Sequence, residues 1–304
     1  MLAVLSGEYE DKKEYVSYIA YDWKHQAVHE CSCNPEQLGN YFVTSDLPYN
    51  TSPAFFKPEV IAKYKHDVDK YTIEHGNITC RGAWSLRFDT NDEGQIHVYL
   101  IDLSHLPYSE QLYWKSFNED PKSGLSEHVV KRDFEGSWDL PHDPLIGLKQ
   151  ILREFPNAAI RGTNSVIWEQ PSHRQLGKLT YVMTDSIKEW EDQILELAKV
   201  LIDGFRKAEL RKIARYLNCD DSQLGSIKLL KKCLDTKRTD TGTMTIIFQP
   251  LERLWSLRSA ISAHAGGSAP DENLQLHYRK MVEDCEQSMK QLAEIIRAGD
   301  LNVP

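Results

Sequence analysis

The chain has 304 residues, 41% hydrophobic and 27% charged, with a formal net charge of −9. No segment approaches 18 consecutive apolar residues, which argues against a membrane span. The apolar start "MLAVLSG" turns acidic at once, so no secretory signal is expected and the cytoplasm is the expected location.

The first predicted element is "EYVSYIAYDW", which alternates as a half-buried strand does. "HECSC" follows, and alternation places His29, Cys31 and Cys33 on one face of a strand. Histidine and cysteine are zinc ligands. The sequence nominates no fourth ligand, however, and buried free thiols are the usual state of such cysteines. The six cysteines include no Cys-x-x-Cys pair, and their scatter argues against a disulfide framework. "SPAFFKPEVIAKYKHD" offers a short helix after its Ser-Pro. "GAWSLRFDTNDEGQIHVYLIDL" reads as two strands joined by the turn "TNDEGQ". In "LPYSEQLYWKSFNEDP", Pro107 suits a first helical turn and Pro121 lies beyond the end. Glu110, Gln111, Tyr113, Trp114, Lys115 and Asn118 cluster there and are candidates for a recognition cleft or for core packing. The stretch 136–183 is a mixed connection with prolines at 141, 144, 156 and 171.

Beyond it the pattern turns helical. Ile187, Trp190, Ile194, Leu197, Val200 and Leu201 recur at helical spacing, with Thr184 or Asp185 as N-cap. "KAELRKIARYL" follows, either as a separate helix or as a continuation of the first through a bend. "SIKLLKKCL" is third, and "TIIFQPLERLWSLRSAISAH" is fourth, with Pro250 near its first turn. "NLQLHYRKMVEDCEQSMKQLAEIIRAG" is fifth, closed by Gly299. The expected fold class is therefore α+β: a mixed sensing or regulatory domain over 1–180, then an all-α helical bundle over 181–304.

Charge is uneven. Residues 1–183 carry a net of −8 and residues 184–304 a net of −1. Within the second part, 206–238 holds ten basic residues against four acidic ones. Arg211, Lys212, Arg215, Lys228, Lys231 and Lys232 are its candidate phosphate contacts, the alternative being a solvated helical face. No glycine-rich phosphate loop, nucleophile elbow or His-Glu-x-x-His is present, and no cofactor is expected.

The fourth helix carries Arg258 and His264 near its end, just before Gly266 and Gly267. Six residues of ideal helix rise roughly 9 Å and turn roughly 240°, so the two do not share a face unless the last turn is distorted. A site made from two copies of the helix removes that restriction. Cationic groups near a helix C-terminus also have a purely structural role, interacting with the last carbonyls.

Arg258 followed after five residues by His264, late in a C-terminal helical bundle, resembles the R-x(4–6)-H signature of the HEPN superfamily. The resemblance covers about 120 residues at the C-terminal end. It implies a homodimeric bundle with a composite cleft, a partner RNA, and metal-independent endoribonuclease activity of the kind found in phage defence and toxin–antitoxin systems. By that resemblance Arg258 holds the scissile phosphate, and His264 moves a proton or orients the ribose 2′-hydroxyl. Active relatives often follow the arginine with Asn, Asp or His, where this chain has Ser259. Other members only bind, so a non-catalytic dimeric scaffold, or a ligand- or nucleic-acid-binding sensor, is the second reading. The N-terminal module would then meet a regulatory protein or ligand. Its blocks "SPAFFKPEVIAKYKHDVDKYTIEHGNITCRGAWSL" and "LPYSEQLYWKSFNEDP" are similar to segments of larger uncharacterised bacterial proteins, and the similarity implies no activity.

Overall fold

Alternation in "SYIAYD" makes β1 (Ser17–Asp22), which buries Tyr18, Ala20 and Asp22, in the computed structural model of the chain. The structure describes residues 13–74, 76–136, 142–160, 163–220, 222–237, 239–263, 270 and 273–302. After a tight turn in which Gln26 takes φ 51°, β2 (Ala27–Ser32) returns antiparallel, with Asp22 opposite Ala27 and Ala20 opposite His29. β3 (Pro53–Phe56) is buried throughout, and α1 (Ala62–His66) is the short helix expected after it. A three-stranded antiparallel meander follows, β4 (Tyr71–Glu74), β5 (Asn77–Cys80) and β6 (Trp84–Arg87). Gly76 closes the first of its turns at φ 67°, where a Cβ would stand 2.6 Å from the Phe88 carbonyl oxygen, so no other residue fits.

β7 (Asp89–Thr90), β8 (Ile96–Tyr99), α2 (Leu100–Ser104), α3 (Tyr108–Lys115), β9 (Asn118–Glu119) and α4 (Glu127–Asp133) complete this unit. The larger sheet runs β2-β1-β3-β8-β7, with β9 also paired to β3. The expected hairpin over 82–103 forms only near its turn. Asp89 and Thr90 pair with His97 and Ile96, whereas Trp84–Arg87 pairs with β5. The strand changes sheets at Phe88, whose N–H donates to the Gly76 carbonyl at 2.7 Å.

The second unit begins with α5 (Pro144–Arg153), the hairpin β10 (Ala158–Ile160) and β11 (Thr163–Ser165), and α6 (His173–Lys178). Five helices follow: α7 (Ile187–Leu201), α8 (Lys207–Tyr216), α9 (Ser226–Thr236), α10 (Thr241–Ser262) and α11 (Leu274–Ala298). The fold is α+β with a helical C-terminal region, as the periodicities predict. The two compact units are residues 1–139 and 140–304, so the division precedes the expected boundary near 180. The reason is packing: Leu145, Leu148, Leu152, Ile167, Trp168 and Leu176 belong to the same buried core as the long helices.

Three local expectations change. Ser186, not Thr184 or Asp185, caps α7 by accepting the Glu189 N–H, while the Thr184 hydroxyl donates to the Glu189 carboxylate at 2.6 Å. Pro250 lies inside α10, which starts earlier at the Asp240 cap. The helix after α7 is separate, because Phe205 and Trp168 form a β-bridge between the two. Gly299 ends α11 in the left-handed conformation at φ 85°, as expected. Among the described residues no helix is long and apolar enough to cross a membrane.

Candidate functional site

Arg258 lies in the last described turns of α10, with its side chain about a third exposed. Its Nη1 donates to Asp203 Oδ1, a carboxylate just past the end of α7. Ser259 Oγ donates back to the Trp255 carbonyl at 2.9 Å, which occupies the hydroxyl proton. His264 lies outside the described residues. Trp255 on the same helix is half exposed, as is Ile246.

The basic candidates occupy two packed helices. Arg211, Lys212 and Arg215 are on α8; Lys228, Lys231 and Lys232 share one face of α9 by their spacing. Several already have partners. Lys212 pairs with Glu209 at 2.6 Å, Arg215 with Asp220 at 3.0 Å and Lys231 with Glu252 at 2.7 Å, while Arg211 donates to the Ser222 carbonyl. Surface ion pairs of this kind are each worth only about 0–1 kcal/mol.

In the first unit the cluster on α3 is an internal brace rather than a cleft. Gln111 is fully buried, accepting the Val16 N–H at 3.0 Å and the Cys33 thiol at 3.2 Å. Glu110 takes Lys63 and the Tyr64 hydroxyl at 2.7 Å each, and Trp114 Nε1 donates to Tyr64 Oη at 2.8 Å. Asn118 spans β1 and β3 through the Ile19 and Phe55 carbonyls. Tyr113 donates to the Val60 carbonyl, and Lys115 pairs with Glu30.

His29 and Cys31 touch, Cys31 Sγ lying 3.5 Å from His29 Nδ1, but His29, Cys31 and Cys33 do not close into one ligand group. Cys33 is taken up by Gln111, and burial pushes both thiols up to about 11, against the thiolate a metal requires. His29 has different company. Among the described residues, Asp22, His25 and His29 form the one group of three whose ligand atoms all lie within 4.8 Å of one another. Sequence reasoning missed Asp22 and His25 because only the four-residue turn and the β1–β2 register make Asp-x2-His-x3-His converge.

A second group of polar side chains lies around the buried His97, which is 3% exposed. Arg132 holds Asp133 through two hydrogen bonds of 2.7 and 2.9 Å, and Tyr99 donates to the same carboxylate at 3.0 Å. The cleft they line has room for about one water, too little for a substrate. Burial, helped by the Arg132 charge, lowers the His97 pKa to about 4. The unfolded chain takes up this proton near pH 6.5 and the folded chain only near pH 4, so stability falls as pH falls through that window. The slope is ~1.4 kcal/mol per pH unit from this group, about 3 kcal/mol in all. Urea unfolding at pH 7, 5.5 and 4 is expected to show that loss, and His97→Gln to flatten it. An equally steep profile in the variant would mean that His97 is not the acid-sensitive group.

Compared with known proteins, the chain matches no family model, no curated protein and no solved structure.

Proposed function

We propose that the helical unit is a metal-independent endoribonuclease of HEPN type, working as a homodimer in the cytoplasm in antiviral defence or a toxin–antitoxin response. The observation that carries this reading is Arg258: a cation near the end of the 22-residue helix α10, before the Arg-x5-His segment closes, paired among the described residues with the exposed carboxylate of Asp203. An RNA phosphate displaces that carboxylate at little cost. Arg258 then offsets charge developing on the phosphoryl oxygens. His264 accepts the 2′-hydroxyl proton as that oxygen attacks phosphorus, and a proton returns to the departing 5′-oxygen. The products are a 2′,3′-cyclic phosphate and a 5′-hydroxyl. The half-exposed Trp255 supports a partner surface on the same helix, and the α8–α9 cations supply phosphate contacts.

The test is incubation of the full chain with structured RNAs, with and without EDTA. Cleavage to cyclic-phosphate ends that survives chelation is expected. Light scattering is expected to give about twice 35.0 kDa. A second reading, a non-catalytic scaffold, is favoured by the Ser259 hydroxyl being committed to the Trp255 carbonyl. Dimerisation without cleavage of any RNA, or cleavage abolished by EDTA, would favour it over the nuclease.

A further inference from the structure

We infer that Asp22, His25 and His29 form a binding site for one divalent first-row transition ion at the tip of the β1–β2 hairpin. The inference is independent of the RNA reading, since it concerns the other unit and a different chemistry.

The three ligands arrive by separate routes. Asp22 ends β1 on its buried face, where an acidic group is otherwise costly. His25 lies in the turn. His29 stands on β2 opposite Ala20, one pleat along the face from Asp22. His25 Nδ1 lies 2.5 Å and His29 Nε2 3.0 Å from the same oxygen, Asp22 Oδ2. Two imidazoles and one carboxylate suit zinc, cobalt or nickel rather than magnesium or calcium, which prefer all-oxygen sites.

Each ligand's outward atom already has the partner that orients a metal-bound group. Asp22 Oδ1 accepts the Lys24 N–H at 2.8 Å and the His25 N–H at 3.4 Å, leaving Oδ2 for the ion. His25 Nε2 faces Asp46 Oδ1 at 3.4 Å, and His29 Nδ1 faces the Glu30 carbonyl at 3.3 Å with the Cys31 sulfur beside it at 3.5 Å. A carboxylate or carbonyl behind each imidazole is the usual outer shell of a metal site. Without a metal, His25 stands between two carboxylates, and a neutral ring can donate to only one of them. A dication at the centre satisfies both sides, with Nδ1 ligating and Nε2–H donating to Asp46. Bonds of about 2.1 Å in a tetrahedron set ligands about 3.4 Å apart, so the widest pair closes by no more than about 1.4 Å. Both histidine side chains are more than 40% exposed and free to make that adjustment, and the remaining coordination positions open to solvent.

Titration of the full chain with Co²⁺, followed by its visible absorption, and with Zn²⁺ by calorimetry, tests the site. One ion per chain is expected, with d–d bands of a nitrogen- and oxygen-ligated Co²⁺. His25→Ala and His29→Ala are each expected to weaken binding by at least about 100-fold, and Asp46→Asn by about 10–100-fold, the usual cost of an outer-shell loss. Both histidines are exposed, so circular dichroism should be unchanged; the exposed His105→Ala is the control and should bind as wild type. Absence of Co²⁺ bands at about 1 mM, or unchanged affinity in the His25/His29 double variant, overturns the proposal.

Discussion

Arg258→Ala and His264→Ala are each expected to lower RNA cleavage by about 10²–10³-fold or more, with little change in melting temperature. The first figure follows from losing one group that stabilises transition-state charge. Stability is spared because the Arg258–Asp203 pair is partly solvent-exposed, with side chains 35% and 48% accessible, and such pairs contribute at most about 1 kcal/mol. Groups acting on one transition state are non-additive, so the double variant should be scarcely worse than either single one. Asp203→Ala separates the roles. If RNA phosphate competes with Asp203 for the guanidinium, this variant binds RNA more tightly and still cleaves it. If Arg258 only ties α10 to the end of α7, Asp203→Ala and Arg258→Ala lower the melting temperature alike and leave any cleavage untouched. Full activity in both the Arg258 and His264 variants, with unchanged products, excludes the mechanism.

Trp190→Ala is expected to cost about 3–5 kcal/mol, the largest stability loss anticipated from a single substitution in the helical unit. Trp190 on α7 is fully buried, and its Nε1 donates to His277 Nδ1 on α11 at 3.1 Å. The other nitrogen of that ring, Nε2, lies 2.9 Å from Arg253 Nη2 on α10. The indole thus meets α11 through one polar contact inside an apolar core that α7, α10 and α11 share. Alanine leaves a large cavity and removes the donor facing His277, and each effect is destabilising. For a unit of this size the melting temperature should fall by ~6–20 °C. Trp190→Phe keeps most of the volume and removes only the N–H, so its loss should be clearly smaller. A loss under about 1 kcal/mol in the alanine variant would mean the site collapses and refills, contrary to the packing described here.

Much of the helical unit is legible in the sequence. Apolar residues at helical spacing mark α7 to α11, and Gly299 stops the last one, because periodicity and chain-end chemistry act over a few residues. The strand β1 was legible for the same reason, its buried face recurring at every second residue. Where the expectations shifted, distant partners decided. Trp84–Arg87 leaves its neighbour for β5, since a strand pairs with whichever edge buries its face, and that edge is not encoded locally. Residues 144–182 join the helical core because Leu148, Leu152 and Trp168 find their apolar partners on helices downstream. The α3 cluster was open to both readings, core being the commoner fate of its aromatics, and burial showed Gln111 and Trp114 to be core. His29 was visible as a ligand type, but its neighbours Asp22 and His25 emerge from strand register, which turns separation along the chain into contact. Residue chemistry and short-range period were thus determined by the sequence alone; which side chains meet, and which lose water, was decided by tertiary pairing.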